Sequence, residues 1–570
     1  MLQLKPFFDV KADVVPWLVD SGLTLPSDPD ESAGSPEVQV HIVNVEKNGS
    51  ILYTWKGKKG TTCIGFYDPH KKQNKLLYTF DREVHLVSCS VNLDRTLLAA
   101  SVLPYNVKGL PNEFLRPVSR CLTLLIEIHP INNTRVLKAV DTHVRVQFLS
   151  PASDMKSFPE SHLLVISEDR CIEHFHISVV IEEGYRVMIK NPDRLPKDIV
   201  VEDFLWAQWD AQGQRLFCIV EKEREAFLTC TQFSPDTNYE TLLSVPLGFP
   251  LTISRLCLVS FGIDHFREQQ ESSETPKLQV FTSHTGGMCM CHSHPVHTER
   301  EFSYSVTLLH HGCRKTFTVS LETTDDPCAS EPTFVNFDYY VAVYMAGHFL
   351  HLINTRLPAL TCHDLFLSGK DAKIKNWNDQ GCLMSFSDSL LDCQSGKMYK
   401  AEIDQQFVMS IMSSCKLDCH RLGALHCAIL YFQQHSQTDK QIIDWLCDHF
   451  STSGSFNPIQ EFILATLHRK AISELASLDK VLPYSSLLNW DGEIPGVTCR
   501  TERVLPVFGG KIQNHRGFWE EMIRNVEFVK VKEGLHKAQY NNISLRVVQD
   551  KLFSELVRDC FVSTSIQVPL

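Results

Sequence analysis

The sequence lacks an uninterrupted apolar run of the length that a bilayer requires. Its least polar stretch is residues 338–367, "DYYVAVYMAGHFLHLINTRLPALTCHDLFL". His348, His351, Asn354 and Arg356 interrupt this stretch before it reaches the roughly 20 apolar residues of a membrane-spanning helix. The stretch is therefore predicted to lie inside a folded domain, and no transmembrane segment is expected.

Features of a secreted protein are also lacking. Lys5, Asp9, Lys11 and Asp13 interrupt the apolar residues at the start of the chain, so no continuous hydrophobic region of a signal peptide is present. The 20 cysteines are a small fraction of the 570 residues, and they stand singly in apolar runs such as "LVSCSV" and "LFCIV". Such cysteines are typical of buried thiols rather than of a disulfide scaffold. A protein of the reducing, cytosolic side is expected.

An excess of basic charge is missing. The chain has 55 Lys and Arg residues against 67 Asp and Glu residues, which gives a formal net charge of −12. The basic residues do not gather into a stripe, so the electrostatic pattern typical of nucleic-acid binding is absent. No nucleic-acid partner is expected.

The short motifs of common enzyme classes are absent. The chain contains no G-x-S-x-G, no H-E-x-x-H, and no G-x-G-x-x-G after a strand, so the hydrolase, zinc-protease and dinucleotide-binding classes lack their local signals. "GKKGTT" at residues 57–62 is similar to a phosphate-binding loop, but Leu52 occupies the position of its first glycine. This segment is interpreted as a hairpin turn, so it gives no signal for a nucleotide-binding enzyme.

Two clusters contain metal-ligand residue types without the spacing of a zinc site. The first, "HTGGMCMCHSHPVH", contains His284, Cys289, Cys291, His292, His294 and His297. On a strand its two cysteines share one face and His292 points to the other, so one tetrahedral ion cannot collect them without a bend. The second is Cys415, Cys419 and His420, where no fourth ligand is apparent. No catalytic residue, cofactor-binding residue, metal ligand or cofactor is predicted.

Short segments rich in Val, Ile, Phe, Tyr and Thr, separated by turn residues, fill residues 38–403. "ILYTW", "TTCIGFYD" and "KLLYTF" form a predicted meander, and "WAQWDAQGQRLFCIV" repeats its layout. In that repeat Trp206 and Trp209, beside Asp210, are interpreted as core residues rather than as the lining of a groove. Such units recur about every 50 residues, which favours a β-propeller of about seven blades. A pair of stacked sandwiches would have a similar strand density. The apolar stretch itself is predicted to be two strands, Tyr339–Met345 and His348–Ile353.

The ends of the chain differ from this region. Residues 1–37 are predicted to be an N-terminal segment that includes a disordered acidic, Pro- and Ser-rich loop, and residues 266–277 and 322–332 to be further surface loops. After the propeller, residues 404–570 are predicted to form a helical module with irregular segments. Its helices begin at a capping box at Thr438 and at Asn457, which is followed by proline. "LPYSSLLNWDGEIPGVTCRTERVLPVFGG" is predicted to be irregular.

Several long strings resemble one family. They include "DVVPWL", "YTFDREVHLVSCSVNLDRTLLAAS", "CLTLLIEIHPINNTRVLKAVDTHVRVQFL", "EDFLWAQWD", "FDYYVAVYMAGHFLHLINTRLPALTCHDLFL" and "LDCQSGKMYKA", with "LHCAIL", "IQEFILA" and "EIPGVT" further on. Together they are similar to the gamma-secretase-activating protein family, also called the pigeon family. Members of that family usually continue beyond the point where this chain stops, so a short form that lacks their C-terminal region is expected.

The resemblance implies a function that the residues alone do not. It implies a non-enzymatic regulator of gamma-secretase cleavage that promotes amyloid-beta formation. The implied partners are presenilin-containing gamma-secretase and the membrane-bound C-terminal fragment of the amyloid precursor protein, and the implied location is the cytosolic side of the trans-Golgi network. Two alternatives remain open, a propeller-plus-helix scaffold or adaptor of membrane trafficking and a metal-dependent hydrolase.

Overall fold

The chain folds into a ring of small sheets. The computed structural model describes residues 2–403, apart from connecting segments of which the longest are 24–37, 105–119, 151–159, 265–277, 322–331 and 366–382, together with residues 497–504. Within these residues the strands pair into seven sheets of four or five strands each. Each sheet is built mainly from strands that follow one another in the chain, so each is an antiparallel meander.

The first four sheets, numbered as blades along the chain, are contiguous in sequence. The first blade has β2 (Val40–Val45), β3 (Ile51–Lys56), β4 (Thr62–Asp68) and β5 (Gln73–Thr79). The second has β6 (Val84–Val91), β7 (Leu97–Pro104), β8 (Cys121–Glu127) and β9 (Asn133–Val140). The third has β10 (Val144–Phe148), β11 (Glu160–Ser167), β12 (Cys171–Glu182), β13 (Arg186–Ile189) and β14 (Lys197–Glu202). The fourth has β15 (Phe204–Asp210), β16 (Arg215–Lys222), β17 (Glu225–Phe233), β18 (Tyr239–Pro246) and β19 (Cys257–Val259).

The remaining blades include two strands from distant parts of the chain. The fifth has β20 (Leu278–Thr282), β21 (Met288–Ser293), β22 (Glu301–Leu308), β23 (Cys313–Ser320) and the distant β31 (Val497–Arg503). The sixth has β24 (Thr333–Phe337), β25 (Tyr340–Met345), β26 (Phe349–Asn354) and β27 (Cys362–Leu365). The seventh has β28 (Leu383–Phe386), β29 (Ser389–Asp392), β30 (Lys397–Ile403) and the distant β1 (Leu2–Asp9).

Both faces of a blade are buried because each packs against a neighbouring blade. All seven residues of β4 are buried, as a strand enclosed on both sides requires. The apolar clusters lie between consecutive blades: one joins Leu52 and Ile64 of the first blade to Leu86 of the second, and another joins Leu164 of the third to Trp209 of the fourth. The prediction of a β-propeller of about seven blades is confirmed.

The apolar stretch at residues 338–367 contains a hairpin of the sixth blade. β25 and β26 pair antiparallel, with Tyr340 opposite Asn354 and Met345 opposite Phe349. Val341 to Met345 are all buried, so both faces of β25 contact other parts of the protein. The predicted pair of strands is confirmed, and the low polarity of the stretch reflects burial between blades.

The ring is closed by a strand from the start of the chain. β1 pairs antiparallel with β30, from Leu2 opposite Ile403 to Asp9 opposite Lys397. Residues 2–9 were expected to precede the propeller, but they form the outer strand of its seventh blade. Closure of the ring in this way leaves the seventh blade with a full set of four strands.

A second distant strand covers the outer edge of the fifth blade. β31 pairs with β23 along its length, from Val319 opposite Val497 to Cys313 opposite Arg503. This segment was predicted to be irregular. Its residues are mostly exposed, so its sequence lacks the apolar pattern of a core strand, and the pairing with β23 holds it in place. The rest of the predicted helical module, 404–570, lies outside the described residues almost entirely.

One α-helix lies wholly within the described residues. This helix, α1 (Val10–Asp20), follows β1 and buries Val14 and Leu18 against the first and seventh blades. The hydroxyl of Tyr67 donates a hydrogen bond to Asp13 on the same helix. Among the described residues, no helix is both long enough and apolar enough to cross a bilayer.

Candidate functional site

A cavity of about 1330 Å³ lies on the axis of the propeller. The first strand of each blade is its inner strand, and these strands run in one direction along the channel because every blade has the same layout. The cavity lies at the end of the channel where these inner strands finish and the chain turns into the second strand of each blade. Residues that line it come from six blades, namely Val45, Gln147, Trp209, Phe281, Asn336 and Ser389. It is therefore a property of the whole ring rather than of one blade.

A buried polar network forms the wall of the cavity at the first three blades. Oε1 of Glu46 accepts hydrogen bonds from Ser90 Oγ at 2.9 Å and from the backbone N–H of Val91 at 3.1 Å. Oε2 of Glu46 accepts from Gln147 Nε2 at 3.1 Å, and Gln147 Oε1 accepts in turn from Asn44 Nδ2 at 3.2 Å. The network therefore joins the turn after β2 to the inner strands of the second and third blades.

Glu46 is an acid whose protonation state changes near neutral pH. Burial raises its pKa from 4.5 to about 7, and the hydrogen bonds from Val91, Ser90 and Gln147 oppose that rise. Burial is the larger effect because a carboxylate loses more hydration than three hydrogen bonds restore. The wall of the cavity therefore changes charge close to physiological pH.

The chain itself crosses the channel beside the cavity. Residues 256–264, here called the crossing segment, begin with β19 of the fourth blade, and Ser260 in this segment lines the cavity. β19 in this segment runs parallel to the inner strand β15, with Cys257 opposite Trp206 and Val259 opposite Gln208. The segment then passes across the channel, where the backbone N–H of Ile263 donates to the carbonyl of Val43 in the first blade at 2.7 Å.

Glycine is required where the crossing segment meets the first blade. Gly262 has φ +79°, a conformation that is strained for other residues. A Cβ at this position would lie 2.7 Å from the carbonyl oxygen of Val43, which is a backbone atom that cannot turn aside. The close approach of the crossing segment to the first blade thus depends on the absence of a side chain.

A buried carboxylate fixes the end of the crossing segment. Asp264 has a side chain only 1% exposed, and its Oδ1 lies 2.8 Å from Nε2 of His85. Its Oδ2 lies 3.7 Å from Nδ1 of His143. The two histidines stand at the starts of β6 and β10, so Asp264 bridges the second and third blades. The crossing segment therefore contacts the inner strands of four consecutive blades.

The size and the lining of the cavity are suited to binding. Its volume exceeds the roughly 300–1,000 Å³ of most small-molecule sites, so it can hold a peptide segment. Charged residues of both signs line it, including Asp13, Lys47 and Asp210. Burial lowers the pKa of Lys47, and the nearby Asp210 opposes that change. Phe7, 56% exposed, adds an apolar contact at the mouth.

The residues that the sequence analysis considered as metal ligands are dispersed. Cys289 and Cys291 are buried in the core between the fifth and sixth blades, whereas His292 belongs to the other face of β21, as expected. His294 Nε2 lies 2.6 Å from Ser305 Oγ. His284, His297 and the second candidate cluster, Cys415, Cys419 and His420, lie outside the described residues.

"GKKGTT" and Trp206 behave as predicted, whereas Trp209 does so only in part. "GKKGTT" forms the connection of the hairpin between β3 and β4, with a short 3-10 helix at Lys58–Gly60. Trp206 and Trp209 are 1% and 3% exposed and belong to two different interblade cores. Trp209 also contacts the cavity, which its position in the sequence did not indicate.

These features define the class of protein: a seven-bladed β-propeller whose channel is crossed by its own chain beside a peptide-sized cavity. Two curated relatives match nearly all of the chain. The gamma-secretase-activating protein of Homo sapiens is 44% identical over 562 residues, and that of Mus musculus is 42% identical over 567 residues. Each match covers 97% of this chain. The chain belongs to the gamma-secretase-activating protein family. It spans 65% of the length of each of these relatives. It matches no family model.

Solved structures that resemble the chain are distant in sequence. The Dos1 propeller is 10% identical to this chain, with a TM-score of 0.30. The match covers 64% of this chain and 78% of the Dos1 chain. The WD40 domain of SCAP from fission yeast is 9% identical to this chain, with a TM-score of 0.26. The match covers 64% of this chain and 89% of the SCAP chain. These TM-scores are too low to support the fold assignment, which depends on the strand pairings described above.

Proposed function

We propose that this chain is a non-enzymatic regulator that promotes amyloid-beta formation. In this proposal it links gamma-secretase to the membrane-bound C-terminal fragment of the amyloid precursor protein. The observation that carries the proposal is the 44% identity, over 97% of the chain, to a relative named gamma-secretase-activating protein. The axial cavity supports a binding role because it is large and has walls contributed by six blades.

The cavity mouth is the surface that we assign to a partner peptide. A segment of a partner in extended form can place an apolar side chain against Phe7 and polar groups against the turns that follow β2 and β15. Large aromatic residues often dominate the binding energy of such contacts. The exposure of Phe7 means that its removal costs the folded protein little.

The first experiment measures activity and partners together. Membranes that contain gamma-secretase and the precursor fragment are incubated with the purified chain, amyloid-beta is quantified, and proteins bound to the chain are identified. The proposal expects more amyloid-beta and recovery of presenilin and the fragment. Recovery of coat or tether subunits instead would favour the trafficking adaptor, and recovery of neither group would contradict both functions.

A matched pair of variants tests the cavity mouth. Phe7→Ala removes an exposed aromatic residue at the mouth, whereas Val136→Ala removes an apolar residue, 59% exposed, on the outer strand β9. We expect Phe7→Ala to weaken partner capture by about 10-fold and Val136→Ala to leave it unchanged. Equal capture by both variants would place the binding surface elsewhere on the protein.

We also propose that the protein acts on the cytosolic side of the trans-Golgi network as a peripheral protein. This location would bring it to the membrane that contains its proposed partners. Fractionation of cells followed by a salt wash checks it. The chain should co-sediment with trans-Golgi membranes and should be released by the wash, whereas its recovery in another compartment would contradict the proposal.

A further inference from the structure

Three histidines converge on one face of the third blade, away from the axial cavity. His174 and His176 are two residues apart on β12, so both point to the same face of the sheet. His162 on β11 lies directly opposite His176. The ring centres lie 5.1 Å apart for His162 and His174, 5.1 Å for His162 and His176, and 4.4 Å for His174 and His176.

These distances are close to those of three imidazoles around one ion. Zinc–nitrogen bonds of about 2.0–2.1 Å in tetrahedral geometry place the ligand ring centres about 5.2 Å apart. One ring nitrogen from each of the three histidines lies within 4.8 Å of the others. Tetrahedral ligand nitrogens are about 3.4 Å apart, so small rotations of the rings bring them into position. The pairing of β11 with β12 already places the three rings at about the separation that one zinc ion requires.

The central histidine is buried and its nitrogens are not satisfied by protein. His174 is 2% exposed, and within the part of the chain that the structure describes neither of its ring nitrogens has a hydrogen-bond partner. Nδ1 of His162 is also buried without a partner among these residues. Buried polar atoms of this kind cost stability unless something satisfies them, and a metal ion does so for several nitrogens at once.

The protonation states of His174 and His162 suit metal binding. Burial, and then the neighbouring His176 and His162, lower the pKa of His174 to about 3. Burial is also the main cause of a lowered pKa at His162. These two rings are therefore neutral at physiological pH, and the neutral imidazole is the form that ligates a metal.

Carboxylates next to the histidines complete the arrangement. Nε2 of His176 lies 3.1 Å from Oδ2 of Asp198 on β14. Oε1 of Glu160 lies 3.8 Å from Nδ1 of the same ring. A carboxylate that holds one nitrogen of a ligating histidine is the usual outer contact of a metal site.

The neighbouring blade covers the cluster. Phe233 and Tyr239 of the fourth blade have ring centres 5.5 Å and 6.1 Å from that of His174. They exclude water from the inner side, while Glu160 and Asp198 stand on the more exposed side. An ion could therefore enter from the carboxylate side and be held against an apolar wall.

We propose that His162, His174 and His176 bind a zinc ion at the interface between the third and fourth blades. Three imidazoles with a nearby carboxylate are a donor set that suits zinc and other divalent transition metals rather than magnesium or calcium. The ion would tie β11 to β12 beneath the fourth blade. The site is separate from the proposed binding of partners at the axial cavity and does not depend on it.

The test uses the purified full chain after treatment with a chelator. Zn²⁺ is titrated in competition with a chromophoric chelator, and Co²⁺ is used as a second probe because its visible absorption reports four-coordinate geometry. We expect one tightly bound equivalent of Zn²⁺, a tetrahedral Co²⁺ spectrum, and a higher melting temperature with Zn²⁺ than without. Failure of the unaltered chain to bind Zn²⁺ would overturn the proposal.

Variants locate the bound ion. His162→Ala is expected to lower the affinity for Zn²⁺ at least about 100-fold, and Asp198→Asn, at a residue with an exposed side chain, about 10-fold. His294→Ala is the matched control because His292 on β21 and His294, just after that strand, form a second pair two residues apart, with ring centres 4.8 Å apart. Melting curves without metal check that each variant folds. Unchanged affinity in both His162→Ala and Asp198→Asn, or an equal loss in His294→Ala, would contradict the assigned site.

Discussion

Replacement of Glu46 by glutamine gives a sharp test of the buried network at the cavity wall. The pKa of Glu46 is about 7 in the folded protein, against an ordinary value of 4.5. The folded protein therefore holds a proton that the unfolded chain releases, and its stability falls as pH rises through this window. The difference corresponds to about 3 kcal/mol of unfolding free energy that is present below about pH 4.5 and is lost by about pH 8. Glu46→Gln cannot ionise, so the variant should lack this loss.

Urea unfolding followed by tryptophan fluorescence measures this effect because Trp55, Trp206 and Trp209 are all buried in the propeller. From about pH 5 to about pH 8, the unfolding free energy of Glu46→Gln should rise relative to the unaltered protein by roughly 2–3 kcal/mol. Any cost of the new amide beside Gln147 is independent of pH and leaves this trend intact. Glu225→Gln, at an exposed position, supplies the background. Parallel pH profiles for Glu46→Gln and the unaltered protein would refute the reasoning.

Three further predictions concern the elements that complete the ring. Gly262→Ala should cost about 1–3 kcal/mol more than Gly49→Ala in urea unfolding, because both glycines have φ near +79° but only Gly262 closely approaches a backbone atom, the carbonyl of Val43. Equal costs would contradict that account. Asp264→Ala should cost roughly 1–3 kcal/mol, since it removes the hydrogen-bond partner of His85, and a cost below about 0.5 kcal/mol would exclude a structural role for this contact. Replacing β31 by a Gly-Ser linker should speed hydrogen exchange of the β23 amides that it covers, and unchanged exchange would show that the pairing is not maintained in solution.

The local parts of the fold could be predicted because their signals lie close together in the sequence. The meander of β3, β4 and β5 has apolar strands and polar turns within 30 residues, and the hairpin of β25 and β26 is fixed by a single turn. Repetition of such units gave the approximate number of blades. β1 and β31 could not be placed in this way, because each pairs with a strand far away in the chain and neither has a distinctive apolar pattern.

The site was harder to predict than the fold. The cavity is lined by turns from six blades, so no single segment shows it. The crossing segment contains "LCLVSFGI", which has the composition of any buried strand, and its parallel pairing with β15 depends on the closed ring. The histidine cluster had a partial signal in the His174 and His176 spacing. Its third member, His162, becomes a neighbour only through the register of β11 and β12.

The pairing of β1 with β30 has a consequence for the order in which the protein folds. Leu2 and Ile403 are about 400 residues apart, and closing a loop of that length costs roughly 3 kcal/mol more than closing one of about ten residues. During synthesis the first strand has no partner until the ribosome has made nearly all of the propeller. We expect the ring to close at the seventh blade, before β31 is added to the edge of the fifth, and the β1–β30 pairing to open first. A chaperone or protease that binds the nearly native protein should therefore act at this junction.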